Sequence, residues 1–397
     1  MSRPGGGASA SPVTIVGGGI AGLTAAIACA EGGAKVSLLE AHNELGGRAR
    51  SSEGPYKANF GPHVLYKDGP FWDWMAERSL LPAYAGLPLA GVKLRLGGAI
   101  GRTPPLRTIP SVLRLRGREA PVELDFRTWA EHRTDERTAA MLSAAAGVYT
   151  FHHDPGALSA AFVWSRTVRT LLSPPPVARY AIGGWTSLVA SLERRARELG
   201  VEIRTGEGVE ELPDPPVILA TELSQASSLL AEDSLSWTSG HTVCLDVGLR
   251  HRRGDPFVVS DMDEAGWIER FSAADASLAP KGEELIQAQM PVRPAESVEQ
   301  AASRLERLMD ASLPDWRERV TWRRRQVMDA RTGALDPPGS SWQDRPAVDR
   351  GDGVFLAGDM VAAPGLLSEV SWASAIEASR LALEAIGTTR RRLREVA

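Results

Sequence analysis

Gly17, Gly19 and Gly22 stand in PVTIVGGGIAGLTAA at G-x-G-x-x-G spacing, between a short apolar run and an alanine-rich stretch. The first glycine of such a set permits a tight turn. The second lets the backbone approach a pyrophosphate, and the third lets helix and strand pack closely. The phosphates then face a helix N-terminus, where free N–H groups and the dipole favour anions. Glu40 ends AKVSLLE, 18 residues beyond Gly22. An acid there accepts hydrogen bonds from ribose hydroxyls, and its charge repels a 2′-phosphate. Together these residues predict a dinucleotide site that fits FAD and NAD alike.

Such a site needs a βαβ unit to hold it. Residues 13–16 and 34–40 read as parallel strands, with residues 22–30 as the crossover helix. A second block starts at Gly183: GGWTSLVASLERRARELG places Leu188, Leu192, Ala196 and Leu199 at helical spacing and ends at Gly200. VEIRTGEGVEEL then alternates as a strand, and PPVILAT reads as a short buried one. A third block, DGVFLAGDM, is a buried strand entering a polar turn. SEVSWASAIEASRLALEAIG follows as a helix expected to stop at Gly387. Residues 70–176 and 235–345 differ in character and hold nine of the eleven tryptophans. In them VKLRLGG and VLRLRG alternate like the strands of a hairpin, and SVEQAASRLERLMDASLPDW reads as an amphipathic helix.

The predicted fold is α/β. Residues 12–69, 177–234 and 346–397 form a discontinuous Rossmann-like dinucleotide domain. Residues 70–176 and 235–345 form an inserted α+β substrate-binding domain, and residues 1–11 a small, flexible N-terminus. A length of 397 residues suits two domains. A net charge of −4 gives no global positive field for nucleic acid. Cys29 and Cys244 are too few for a disulfide scaffold or a metal cluster, and Cys29 reads as a small buried helix residue. The first residues lack the apolar core of a signal peptide, and no run approaches the roughly 18 apolar residues of a membrane span. A cytoplasmic location is the default expectation, with peripheral membrane contact and oligomeric state left open. The basic end, TTRRRLREVA, reads as a solvated helix end or tail.

The segment after Glu40, EAHNELGGRARS, puts Gly46, Gly47 and Arg48 just past the ribose acid, where arginine can neutralise a pyrophosphate. Taken with GGGIAGL, FGPHVLY, IGGWTSLVASL, VILAT and GVFLAGDM…SAIEASRLALEAI, this segment resembles the flavin amine oxidase and phytoene desaturase superfamily. The matching pieces cover the three nucleotide-domain blocks in family order. The glycine turn is common to many folds; LGGRARS and the terminal LAGD plus helix are more specific. The resemblance implies FAD as cofactor. Gly17, Gly18, Gly19, Ile20, Ala21, Gly22 and Leu23 would hold the pyrophosphate, and Glu40 with Ala41 the adenosine ribose. Gly46, Gly47 and Arg48 would lie near the pyrophosphate and flavin. Gly61, Pro62, His63 and Val64 would pass beside the flavin ring. Val209, on its strand, would pair its backbone with the adenine. Gly358 and Asp359 would meet the ribityl–phosphate region, and the backbone of Trp372 the pyrimidine edge. SEVSWAS stands where the family often has a glycine-rich turn, a departure at that edge.

His63 is the titratable side chain of its segment and reads as a local hydrogen-bonding residue ahead of a general base. Adjacent His152 and His153 would point to opposite faces of a strand, so no metal site is expected. No serine elbow, cysteine cluster or HExxH helix is present, and no catalytic side chain is assigned. The chemistry would reside in the cofactor. The resemblance implies hydride transfer from a C–H bond of a small organic substrate, taken as apolar because of the tryptophans. Alternatives are an amine oxidase, a porphyrinogen-type oxidase, or a non-catalytic lipid-binding relative of the Rab escort and GDI type. The family's amine oxidases often carry a lysine on the strand matched by VTWRRRQVMDA, which has arginines instead.

Overall fold

The computed structural model describes residues 13–61, 63–88, 90–101 and 108–396, with side chains to residue 387. The flexibility expected of residues 1–11 and the role expected of Pro62 lie outside the described residues. β1 (Val13–Val16), α1 (Ile20–Glu31) and β2 (Val36–Glu40) come first, followed by β3 (Leu65–Tyr66), α2 (Pro70–Glu77), β4 (Tyr84–Gly86), β5 (Val92–Leu96) and β6 (Ala99–Gly101). Then come α3 (Thr108–Leu115), α4 (Phe126–Glu131), α5 (Glu136–Ala145), α6 (Gly147–Thr150) and α7 (Ala160–Leu171). β7 (Ala178–Ala181), α8 (Trp185–Glu198), β8 (Glu202–Thr205), β9 (Val217–Leu219) and α9 (Leu223–Leu230) follow. The last part holds β10 (Ser239–Arg250), β11 (Val258–Asp261), β12 (Trp267–Glu269), β13 (Glu283–Pro291), α10 (Val298–Ser312), α11 (Trp316–Arg319), β14 (Val320–Ala334), β15 (Val354–Leu356) and α12 (Ser368–Val396). The chain divides into two compact units, residues 1–47, 189–236 and 346–397 in one, and residues 48–188 and 237–345 in the other. Residues 48–69 and 177–188 thus cluster with the second unit.

The first unit is built on a parallel sheet in the order β15-β9-β1-β2-β8. β9 and β15 are buried at every residue, as strands covered on both faces must be. α1 and α12 meet through small residues: Ser379 Oγ donates to the Ala25 carbonyl at 3.3 Å. Cys29 is fully buried in α1, and burial pushes its thiol up to about 11. α12 does not stop at Gly387, which has no positive φ, and its backbone stays helical to Val396. The strand expected around Val209 ends at Thr205, and Val209 lies in the following loop.

The second unit carries a seven-stranded sheet, β14-β10-β13-β12-β11-β5-β6, and a three-stranded one, β3-β7-β4. One face of the large sheet packs Leu245, Val247, Ile286 and Ala288 against Leu305, Leu308 and Met309 of α10. A Ser297–Gln300 capping box starts that helix. On the other face Arg324, Asp246, Gln287 and Glu269 stand in register across β14, β10, β13 and β12. VLRLRG is not a strand: residues 112–115 belong to α3, where Thr108 and Leu115, two turns apart, form the buried side. β5 takes β6 as its hairpin partner through Gly97 and Gly98, both at positive φ. His152 and His153 follow a left-handed Phe151 rather than lying in a strand, and their rings pack side by side at 4.3 Å. Six of the nine tryptophans outside the nucleotide blocks (Trp72, Trp74, Trp129, Trp164, Trp267 and Trp316) are core residues of this unit.

Glu269 receives a hydrogen bond from the Tyr180 hydroxyl amid Phe257, Phe271 and Trp267. Burial pushes its carboxyl up to about 7, against the opposing pull of that bond. The folded protein therefore holds this proton up to near pH 7, whereas an unfolded chain releases it near 4.5. A raised acid of this kind contributes stability at low pH that is lost as pH rises between those values. Urea melts between pH 5 and 7 are expected to show the wild type losing stability relative to Glu269→Gln. A difference that stays constant across that range would refute the raised carboxyl.

Candidate functional site

The carboxyl ends of parallel strands, near the point where strand order reverses, are where α/β sheets bind ligands. In the first unit that point lies beside β1, which is flanked by β2 on one side and β9 on the other. Gly17 follows β1 at φ +105, and a Cβ there would stand 2.4 Å from the Ala220 carbonyl oxygen. A Cβ on Gly22 would stand 1.8 Å from the Gly17 oxygen. These two glycines are demanded by the fold. Gly19 is different: its φ is −77, open to any residue, and its Cβ would meet only the Gly46 oxygen, at 4.0 Å. Gly19 is also the N-cap of α1, with no side-chain cap, and the first turn holds no acid. The helix N-terminus is left for an outside anion, and the missing Cβ keeps the approach open. Ile20, Ala21 and Leu23 are buried in the first turns of α1 and anchor it.

Glu40, 6% exposed, ends β2. Its Oε2 accepts from Gly18 N at 2.7 Å, and its Oε1 accepts from His42 N at 2.9 Å and lies 2.8 Å from His42 Nδ1. A carboxylate has about four acceptor sites, so capacity remains for a ribose hydroxyl. Gly46 N donates to the Gly18 carbonyl at 2.8 Å, and a Gly47 Cβ would lie 3.6 Å from Gly19 Cα, so two side-chain-free backbones face each other. The loop after β8 reaches the same end: Gly206 N donates to His42 O and Glu207 N to Glu40 O. A Cβ on Gly208 would lie 3.9 Å from that of the exposed Ala41, which brings the Val209 loop there too. Gly358 and Asp359 form the half-buried turn after β15, fixed by Gly358 N donating to Ser374 Oγ of α12 at 2.9 Å. Trp372 was expected to offer its backbone to the pyrimidine edge. It stands one turn inside α12, where a backbone N–H is directed to the carbonyl four residues earlier.

In the second unit Arg48, Gly61, His63 and Val64 lie together. Arg48 Nη1 donates to the Arg331 carbonyl at 2.6 Å. His63 Nε2 is 2.9 Å from Arg48 O and 3.1 Å from Phe60 O, both acceptors, so Nε2 carries a proton and is spent on the loop. The ring packs on Trp185 at 4.7 Å. Gly61 is at φ +93, and Val64 packs against the cluster containing Tyr180 and Phe271.

The residues before this segment are held by groups the sequence did not single out. Arg324 Nη2 donates to Asn59 O at 2.6 Å and Gln287 Nε2 to the same oxygen at 3.0 Å. Asp246, fully buried between them, receives Arg324 Nε, Gln287 Nε2 and Gln326 Nε2. Burial pushes its carboxyl above the usual range, against the pull of the Arg324 guanidinium. The available signal was an aspartate inside the apolar run VCLDVGL, a residue type almost never buried unless paired.

His152 and His153 are pushed down by burial. Among the described residues no group of three or more His, Cys, Asp or Glu could hold a metal ion, and no helix is long and apolar enough to cross a membrane.

The glycine pair separates folding from binding. Gly22→Ala is expected to destabilise the fold severely, because neither backbone can yield. Gly19→Ala should change stability by less than about 0.5 kcal/mol, a small entropic gain offsetting a poorer N-cap. It should nevertheless weaken dinucleotide retention. Thermal melts beside cofactor-release measurements check both, and equal retention by Gly19→Ala would remove the anion site.

Residues 15–78 match the family model described as an NAD(P)-binding Rossmann-like domain. A carotenoid 3,4-desaturase from Haloarcula japonica is 51% identical over 55 residues, which is 14% of this chain and 11% of that enzyme. The chain thus matches about a tenth of that relative's length. An oxidoreductase structure from Methanosarcina mazei shares the fold with a TM-score of 0.76 at 14% identity, over 93% of this chain and 100% of that one. For cyclohexylamine oxidase from Brevibacterium oxydans the TM-score is 0.71 at 14% identity, over 95% and 99% of the two chains. For putrescine oxidase bound to putrescine it is 0.69 at 15% identity, over 96% and 99%. The chain thus shares the fold of these two amine oxidases, and residues near its start match a Rossmann-like domain.

Proposed function

We propose that the protein is an FAD-dependent oxidoreductase that takes hydride from a C–H bond of a small organic molecule. The observation that carries this reading is the open, uncapped N-terminus of α1 between Gly19, Glu40 and the Gly46–Gly47 backbone. FAD is preferred to NAD because LGGRARS and LAGD match the flavin superfamily and because the oxidases sharing the whole fold belong to it. FAD, when bound, supplies the hydride acceptor. The residues of this chain bind and orient it. The Gly17–Leu23 turn receives the pyrophosphate and Glu40 the ribose. The loop of Val209 meets the adenine, and Gly358 with Asp359 the ribityl–phosphate region. In the second unit Arg48, Gly61, His63 and Val64 are the residues proposed to meet the flavin.

An apolar, desaturase-type substrate draws its support from the local match to the carotenoid desaturase. The tryptophans add less, since most of them are core. Amine oxidation is the second reading, favoured by the fold match to cyclohexylamine and putrescine oxidases. The absence of lysine from β14 weighs against it.

Purified protein is expected to show absorption bands near about 370 and 450 nm, where oxidised flavins absorb. A protein that takes up no flavin on reconstitution ends the redox reading. Glu40→Ala should lose FAD on dialysis that the wild type survives. His63→Ala should change substrate-driven flavin reduction by less than about tenfold, against the 10²–10⁴ typical of a general base. Anaerobic bleaching across polyenes, porphyrinogens and amines then separates the substrate classes.

A further inference from the structure

α3 packs on the second unit through Thr108 and Leu115, each 2% exposed. At about 100° per residue these two share one side of the helix. Leu113 lies on the opposite side and Ile109, one turn before it, on the adjoining flank; they are 61% and 42% exposed. A surface helix normally turns its aliphatic stripe inward; α3 presents a second one outward. Cations follow it. Arg114, Arg116 and Arg118 are exposed, and Arg114 Nε donates to the Pro110 carbonyl, which lays that side chain along the helix flank. The turn carrying the other two is fixed from below, because Trp164 Nε1 donates to the Arg118 carbonyl at 3.1 Å. Residues 102–119 contain five arginines and one acid, Glu119, in a chain of net charge −4.

We propose that α3 and the turn after it dock the protein on an anionic lipid bilayer, with Ile109 and Leu113 entering the headgroup–acyl boundary. Single exposed leucines are ordinary. A pair one turn apart, followed within five residues by three exposed arginines, has the composition of an interfacial helix. Nucleic acid would engage the arginines and leave both aliphatic side chains in water. A stable protein partner needs roughly 800 Å² per side, more than one eight-residue helix offers. Cations near an anionic leaflet each contribute about fivefold to partitioning, and their local excess orients a chain that is acidic overall.

The test is sedimentation of the full chain with sucrose-loaded vesicles of phosphatidylcholine, with and without phosphatidylglycerol. The protein should pellet with the anionic vesicles and release as salt rises. Replacing Arg114, Arg116 and Arg118 together by glutamine should lower partitioning about a hundredfold. Ile109→Ser with Leu113→Ser should lower it as well. All five side chains are exposed or bordering solvent, so thermal melts of the variants should match the wild type. Leu113→Trp gives a gain of signal: its fluorescence should shift to the blue on anionic vesicles. Failure of the wild type to pellet would overturn the proposal. So would equal binding to neutral vesicles, variants that pellet like the wild type, or self-association in light scattering abolished by the serine pair. The assay needs no turnover, so its result is independent of the proposed redox chemistry.

Discussion

The Gly18 N–H and the Glu40 carboxylate meet at 2.7 Å, and this buried hydrogen bond ties the glycine turn to the end of the next strand. The site in the first unit depends on where that carboxylate goes. Three other helices have N-termini closed by side chains: Asp125 caps α4, Asp135 caps α5 and Ser297 caps α10. An acid or serine at the start of α1 would satisfy the same donors and remove them from use. Glu40 instead reaches the turn from the side, through Gly18, and leaves the axis of α1 open. The strong anion-binding end of a helix is thereby kept unsatisfied by the protein itself.

In the second unit the governing constraint is that one sheet must serve two different neighbours. Its alternate residues face α10 with Leu245, Val247 and Ile286, and face the other way with Asp246, Gln287 and Glu269. The polar row is not a loose set of buried groups. Arg324 and Gln287 both spend donors on the Asn59 carbonyl, and Asp246 accepts from both. Removing one member of such a set leaves the others buried and unpaired, which typically costs about 3–5 kcal/mol. The backbone leading into Gly61 and His63 is therefore held by charge, and His63 itself is held by the Arg48 and Phe60 carbonyls.

Much of the first unit was legible because its strands are short, apolar and bounded by glycine or proline. Residues 13–16, 217–219 and 354–356 carry their own signals. The second unit was less legible because its decisive features come from pairing. VLRLRG alternates, yet β5 found its partner in residues 99–101, and the alternating run became a helix instead. Gly387 looked like a stop, but a glycine ends a helix only where the next turn needs a left-handed residue, and α12 simply continues. The tryptophans looked like a pocket wall, yet residues such as Trp129 and Trp316 fill the interior. Arg324 and Asp246 were in plain view, 78 residues apart, and only the register of β10 on β14 joins them.

This difference also explains how similarity to other proteins is distributed. The family model stops at residue 78, although whole-chain structures share the fold at 14–15% identity. Where backbone packs on backbone this closely, the allowed residues are few: Gly17 and Gly22 admit no Cβ, and Glu40 must reach Gly18 N. A sheet face asks for less. Any aliphatic of suitable volume can fill the side toward α10, and the polar side needs compatible partners more than particular ones. Sequence constraint therefore concentrates in the βαβ start, and the second unit can keep its shape while its residues drift. On the proposed reading the residues that decide a substrate fall in that part, so they have to be identified by which side chains converge in space.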